Sequence, residues 1–305
     1  MNDVAAVVVT YNRKDLLEQN LTTLLGQLDA ACDVLVIDNC STDGTAEMVK
    51  EKFDQSAVIY ANTGSNLGGA GGFEVGIELA VELGYRYVWI MDDDTLPHPT
   101  ALRELLKAGE DLGGNWGFLS SIAYWVDGSI CRANEQKKNI FRRVRRWEYG
   151  DAPFRVEMAS FVSLLVRTDV ILDVGLPKGS YFIWTDDYEF SGRISQHYPC
   201  YMVPASKVTH AMSNHTRVDL ATADEDRIDR FRYLYRNDVD CYRSYGFKGW
   251  AYILFKNGYT IANVIAWSKG NRLKKIRILT EGFKEGLRFD PGIDRVDRSK
   301  VSDRS

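Results

Sequence analysis

Apolar and polar residues fall in alternating blocks along the first third of the chain. Val4 to Val9 is an unbroken apolar run, the pattern of a strand covered on both faces. Asp15 to Leu28 sets Leu17, Leu21, Leu24, Leu25 and Leu28 at helical spacing. Val34 to Ile37 predicts a second buried strand, and Ser41 or Thr42 can cap a helix running through Met48 to Phe53. Val58 to Tyr60 predicts a third strand, followed by a glycine-rich loop and a helix from about Gly72 to Leu83. Tyr87 to Met91 is a fourth strand and ends abruptly in three aspartates. Strands and helices joined by short links predict right-handed βαβ units, a parallel sheet and the α/β class.

Beyond about Gly113 the alternation weakens. Phe118 to Tyr124 reads as a strand and Met158 to Val166 is apolar again, whereas Asn134 to Asp151 is polar and basic and reads as a surface loop. Asp169 to Val174 and Glu189 to His197 look like short helices. From Asp224 to about Phe289 the pattern is helical with charges on the exposed face, and the tail after Pro291 is polar enough to fray. The expected division is a sheet domain over 1–217, a helical region over 218–290 and a flexible tail over 291–305.

Composition narrows the classes. Of 305 residues, 45% are apolar and 26% charged, which is ordinary for a folded chain and excludes wholesale disorder. With 38 basic and 42 acidic residues the net charge is −4, against a nucleic-acid binder driven by overall charge. The five cysteines, Cys32, Cys40, Cys131, Cys200 and Cys241, are odd in number and contain no Cys-x-x-Cys. That argues against a disulfide framework and for a reducing, cytoplasmic compartment. The start, Met1-Asn2-Asp3-Val4, lacks the pattern of a signal peptide. The most apolar late window, Trp250 to Trp267, is broken by Lys256, Asn257, Gly258 and Asn263 and makes a poor membrane span.

Ligands of open parallel sheets bind beyond the carboxyl ends of the strands. Four segments fall there: Thr10 to Arg13, Asp38-Asn39, Asn66 to Gly72, and Asp92 to Asp94. The glycine loop carries neither a dinucleotide fingerprint nor a Walker lysine; it either lets backbone approach a phosphate or is an ordinary flexible loop. Adjacent carboxylates repel, so Asp92 and Asp94 at a strand end either lie in a solvated turn or grip a hard divalent cation, Mn2+ or Mg2+. The second acidic cluster, Asp186, Asp187 and Glu189, lies among Phe182, Trp184 and Phe190, where partial burial would suit one carboxylate to general-base work. His210 is a candidate metal ligand beside such a site, with His215 as second choice.

The ordered set Val8-Val-Thr-Tyr-Asn-Arg13, Ile37-Asp-Asn39, Asn66-Leu-Gly-Gly-Ala-Gly-Gly-Phe73, Trp89-Ile-Met-Asp-Asp-Asp94 and Asp186-Asp-Tyr-Glu-Phe190 resembles the inverting glycosyltransferases of family 2, which have the GT-A fold. The glycine loop, the aspartate triplet and the Asp-Asp-x-Glu segment look most like the bacterial galactofuranosyltransferase branch, with rhamnosyltransferases close. The resemblance implies that Thr10, Asn12 and Arg13 line a nucleotide pocket and that Asp38 bonds the base. It implies that Asn66, Gly68, Gly69 and Asp93 lie along the donor, and that Asp92, Asp94 and His210 hold the metal on its diphosphate. Asp187 would be the catalytic base, with Trp184, Asp186 and Glu189 at the acceptor. That branch usually carries Trp directly before the Asp pair; here Thr185 intervenes.

The implied partners are a nucleoside diphosphate sugar, UDP-galactofuranose before dTDP-rhamnose, and a lipid-linked glycan acceptor of the cell envelope. A non-catalytic nucleotide-sugar-binding subunit is the alternative of a different class. Two basic features, Lys137 to Arg146 and Lys269 to Arg288, suggest peripheral contact with the inner face of a membrane. In the second, Ile276, Leu279, Phe283 and Leu287 stand at helical spacing. Self-association into a homo-oligomer is left open.

Overall fold

The structure, a computed structural model, describes residues 2–212 and 219–302. The four expected strands are β1 (Val4–Thr10), β2 (Asp33–Asp38), β3 (Val58–Asn62) and β4 (Tyr87–Asp92), separated by α1 (Lys14–Leu25), α2 (Thr45–Lys52) and α3 (Gly68–Glu82). Then follow β5 (Thr95–Pro97), α4 (Ala101–Asp111), β6 (Phe118–Tyr124), a hairpin of β7 (Lys137–Asn139) and β8 (Arg142–Arg143), β9 (Phe154–Arg155), β10 (Val162–Arg167) and α5 (Thr168–Val174). The chain continues with α6 (Asp186–Ser195), β11 (Tyr201–His210), α7 (Phe231–Arg243), α8 (Gly246–Trp267) and α9 (Arg272–Gly286).

The main sheet runs β3-β2-β1-β4-β10-β6-β11-β5, with β9 on β11. Its first four strands are parallel, as is the β6–β11 pair, while β10 runs antiparallel to both β4 and β6. Residues of β1 alternate between two cores. Ala5, Val7 and Val9 pack with α3, α5 and α6 on one face. Val4, Ala6 and Val8 pack with α1, α2 and α4 on the other. Both faces are therefore covered, as the unbroken apolar strands require.

The glycine-rich segment is the first turns of α3, not a loop that precedes it. A side chain at Gly72 would put its Cβ 2.6 Å from a Val9 methyl, and one at Gly76 would lie 2.5 Å from Val7. The glycines let the helix lie directly on β1. Gly68, at φ +73°, is needed for a second reason: a Cβ there would overlap the Phe182 carbonyl.

Two other expectations are corrected. The segment 134–151 is not simply a surface loop, since Lys137 in the hairpin is 3% exposed. The described residues after Pro291, up to Ser302, are held against the fold. Leu176 donates to the Asp294 carbonyl at 2.8 Å, Ser302 donates to the Glu82 carbonyl at 2.9 Å, and Val296 is buried against α3 and α5.

The C-terminal helices frame the loop before α6. Asn237 on α7 donates through Nδ2 to the carbonyls of Tyr181, Ile183 and Trp184 at 2.9–3.0 Å. Arg236 donates to Ser180 and Tyr181 carbonyls, and the Thr185 hydroxyl donates to Asp238 at 3.1 Å. This loop holds Phe182, Trp184 and Thr185 at φ 65–70°, a region unfavourable to side chains, and the clamp is what fixes it there. Asn237→Ala removes one donor from three carbonyls. The expected cost is about 1–3 kcal/mol of stability, read as a lower urea midpoint with an unchanged slope.

Candidate active site

The carboxyl ends of β1, β2 and β4 meet the N-terminus of α6 and the end of β11. Three ligand-type groups converge there: a carboxylate oxygen each from Asp92 and Asp94 and a ring nitrogen of His210, all within 4.8 Å of one another. Nε2 of His210 lies 2.8 Å from Asp94, and its Nδ1 lies 2.8 Å from Oδ1 of Asn134. An amide oxygen can only accept, so Nδ1 carries the proton and Nε2 is the atom turned to the carboxylates. Asn134 is therefore the orienting partner, and nothing in its polar sequence context pointed to it. His215, the second choice as ligand, lies outside the described residues.

Asp93 turns the other way. It accepts from the Thr10 hydroxyl at 2.8 Å and from Arg13 at 3.2 Å, and Arg13 also reaches Asp94 at 2.9 Å. Burial pushes the Asp92 carboxyl up to about 7, reinforced by the Asp94 charge, and burial pushes Asp93 up to about 6. Burial works the same way on Asp94, but the hydrogen bond and charge of His210 outweigh it and hold that carboxyl below its ordinary range. His210 is lifted to about 10, its desolvation overcome by Asp94. Arg13 and His210 thus offset part of the triplet's charge, and a divalent ion on Asp92, Asp94 and His210 would take the place of a proton on Nε2.

Asp186 and Asp187 open α6, where the helix dipole and free N–H groups favour negative charge. Their surroundings differ. Asp186 is buried, and desolvation plus the charges of Asp187 and Asp92 push its carboxyl well above the usual range. Asp187 accepts from the Tyr188 N–H at 2.7 Å. Burial raises it too, but Lys137 and Arg143 counter with positive charge and it rests at about 6.

Other expected donor residues reach the same strand ends in different ways. Asn12, at φ 52°, ties its loop to the one after β2 by accepting from the Thr42 N–H at 2.7 Å. Asn66 accepts from the Gly68 N–H at 2.9 Å and so shapes the entry to α3. Gly69 leaves open space where a side chain would stand. Trp184 packs against Phe231 at 5.1 Å between ring centres.

Two of the expected residues are engaged by partners within the fold. Asp38 is fully buried, with one oxygen taking the Ser41 N–H and hydroxyl and the other the Tyr60 hydroxyl at 2.5 Å. These bonds brace the β2 end. Glu189 is held by a two-pronged bond from Arg193, which also caps the carbonyls of Val174 and Leu176. These bonds fasten α6 to the end of α5.

Comparison with known proteins places this geometry. Residues 5–161 match the family model described as glycosyl transferase family 2. The chain is 29% identical over 206 residues to galactofuranosyltransferase GlfT1 of Mycolicibacterium smegmatis, covering 63% of this chain and 65% of that protein. It therefore spans just under two thirds of that relative's length. It is 27% identical over 255 residues to N-acetylglucosaminyl-diphospho-decaprenol L-rhamnosyltransferase of Mycobacterium tuberculosis, covering 73% of this chain and 80% of that protein.

Among solved structures, GalNAc-T7 with UDP, GalNAc and Mn2+ superposes with a TM-score of 0.60 at 14% identity, over 94% of this chain and 56% of that chain. The mannosyltransferase PcManGT from Pyrobaculum calidifontis, in complex with GDP-Man and Mn2+, gives 0.59 at 17% identity, over 94% and 87%. These likenesses show the fold, which is GT-A as expected. With the family match running from β1 past the aspartate triplet to the edge of β10, the chain belongs to glycosyl transferase family 2.

Proposed function

We propose that this chain is a metal-dependent inverting glycosyltransferase that moves a sugar from a nucleoside diphosphate to a lipid-linked glycan in cell-surface polysaccharide synthesis. The observation that carries this reading is the convergence of the Asp92–Asp94–His210 cluster with the Asp186–Asp187 pair at the carboxyl end of β4. UDP-galactofuranose is the preferred donor, supported by the likeness to galactofuranosyltransferase GlfT1. The likeness to a rhamnosyltransferase extends further along the chain and favours dTDP-rhamnose as the second reading.

Asp92, Asp94 and His210 would hold Mn2+ or Mg2+, a set of hard oxygens and one imidazole suited to either ion. Such an ion supplies positive charge against a leaving diphosphate. Thr10, Asn12, Arg13, Asn66, Gly68 and Gly69 line the donor, and Asp93 stands at its sugar. The acceptor hydroxyl loses its proton to Asp187 as its oxygen attacks the anomeric carbon from the face opposite the diphosphate. The bond to the diphosphate oxygen breaks in the same displacement, so configuration inverts. Asp187 suits a base because its carboxyl rests at about 6 beside Lys137 and Arg143, whereas burial and the charges of Asp187 and Asp92 push Asp186 well above the usual range.

The membrane contact belongs to α8, not to the stripe on α9. Leu279 is buried and Gly282 and Gly286 of α9 lie directly on the α7 backbone, so most of that stripe packs inside the protein and only Leu287 at its end stays exposed. On α8, by contrast, Phe247, Leu254, Phe255, Tyr259, Ile265 and Trp267 all face outward. Exposed Lys248, Lys269 and Arg272 flank them, a match for anionic lipid. Among the described residues no helix is long and apolar enough to cross a membrane. α8 would lie in the interface.

Three outcomes test this reading. In calorimetric titration UDP should bind with Mn2+ and lose most of its affinity in EDTA, and Asp92→Asn or Asp94→Asn should weaken Mn2+-dependent binding and turnover together. Equal affinity with and without metal would refute the metal's role.

Asp187→Asn should lower transfer by roughly 10²–10⁴-fold with donor binding little changed, while Asp186→Asn has a much smaller effect. In the wild type, kcat/KM should fall about tenfold per unit as pH drops below about 6, because the base is then protonated. A profile flat down to pH 4.5 would exclude Asp187.

The pair Phe255→Glu and Tyr259→Glu should abolish flotation with vesicles containing phosphatidylglycerol. Flotation that persists would remove α8 from the contact.

A further inference from the structure

A cavity of about 390 Å3 lies between the β7–β8 hairpin and α8. Lys137, Arg142, Arg143, Arg145, Phe141 and Tyr252 line it, with the backbone of Glu135 accepting from Arg143 at 3.0 Å. Tyr188, the residue after Asp187, joins it to the catalytic loop: the Arg143 guanidinium donates to its hydroxyl at 2.8 Å and the Lys137 amine sits 4.1 Å from its ring centre.

Lys137 is the unusual member. Its side chain is buried, yet its amine donates to the Tyr242 hydroxyl at 2.5 Å and, among the described residues, pairs with no carboxylate. Neighbouring cations do have such partners. Lys138 and Arg142 pair with Glu148, and Lys256 pairs with Asp238. Burying an ammonium with no carboxylate in direct contact is expensive, even with the charge of Asp187 acting on it from beyond contact distance. Two cations walled by aromatic rings and open to a cavity therefore form a place for an anion.

The mouth of the cavity is apolar. Phe141 is exposed and packs edge-on against Tyr252 at 5.7 Å. One and two turns further along α8, Phe255 and Tyr259 stand exposed and stacked on each other. An anion seated on Lys137 and Arg143 would thus have a hydrocarbon path leading away from it.

We propose that this cavity binds the diphosphate of a prenyl-type lipid, with Lys137, Arg143 and Arg145 on the phosphoryl oxygens and Phe141, Tyr252 and the outer face of α8 along the chain. The inference rests on the lipid-linked acceptor proposed above and gives that acceptor a second anchor, separate from the donor's metal site. Burial draws the Lys137 amine down to about 7, so an arriving anion would also restore its charge.

Rate measurements do not isolate this role, because Lys137 and Arg143 also act on the charge of Asp187. Binding does. Farnesyl diphosphate, inorganic pyrophosphate and farnesol are titrated into the whole chain in EDTA, which silences the metal site, and UDP is titrated separately with Mn2+. Farnesyl diphosphate should bind at least fivefold more tightly than pyrophosphate, and farnesol should not bind. Lys137→Met and Arg143→Met should each weaken farnesyl diphosphate at least tenfold and leave Mn2+–UDP affinity within twofold. Arg145→Ala, at an exposed position with no folding risk, should weaken it three- to fivefold.

Wild-type protein that does not bind farnesyl diphosphate would overturn the proposal, as would equal affinity for pyrophosphate, which would mark a free-phosphate site. Variants that bind unchanged would overturn it too. Loss of Mn2+–UDP binding in the wild type counts instead against the transferase reading, and the farnesyl diphosphate titration still decides the cavity.

Discussion

Five carboxyl groups, those of Asp92, Asp93, Asp94, Asp186 and Asp187, are gathered where two covered layers of the fold meet. In a region of low dielectric that much like charge is unstable unless it is shared with protons or opposed by cations. Much of the surrounding architecture answers this constraint. Arg13 spans Asp93 and Asp94, His210 closes on Asp94, and the free N–H groups at the start of α6 face its aspartates. Lys137 and Arg143 act on Asp187 from the opposite side. The result is a graded set, with Asp94 held low, Asp187 near 6 and Asp186 high, rather than five equivalent acids.

Much of this was legible in the residue order. The parallel strands β1, β2 and β4 are continuous apolar runs because helices cover both faces, so their ends, and the chemistry placed there, could be read directly. Asp92, Asp94 and His210 do come together. The misreadings share a physical origin. Gly68 to Gly72 reads as a loop because glycine weakens helices, but here close contact with β1 outweighs that cost. The bonds that Asp38 accepts from Ser41 and Tyr60 likewise carry no mark in sequence.

The C-terminal helices mislead in the same manner. Charged residues on an amphipathic helix ordinarily face water, yet Arg236, Asp238 and Asp240 of α7 are buried with Asn237 between them. Asp240 alone takes hydrogen bonds from Lys178, Tyr181 and Arg243. Periodicity gives the face of a helix and not what that face will meet. Most of the apolar stripe of α9 packs inward on α7, while the interrupted α8 keeps Phe247, Leu254, Phe255 and Tyr259 exposed.

The buried position of Val296 bears on how the chain comes to be folded. The hydrophobic layer under α3 and α5 is built from β1 onward but is completed by a side chain near the far end of the sequence. Chain order alone means that this wall is completed only once α7 to α9 and the strap after Pro291 have been made. The contact joins residues far apart in sequence, which raises the loop-closure cost of folding. Once closed, it couples the strap to the central sheet, and loosening either one exposes the other.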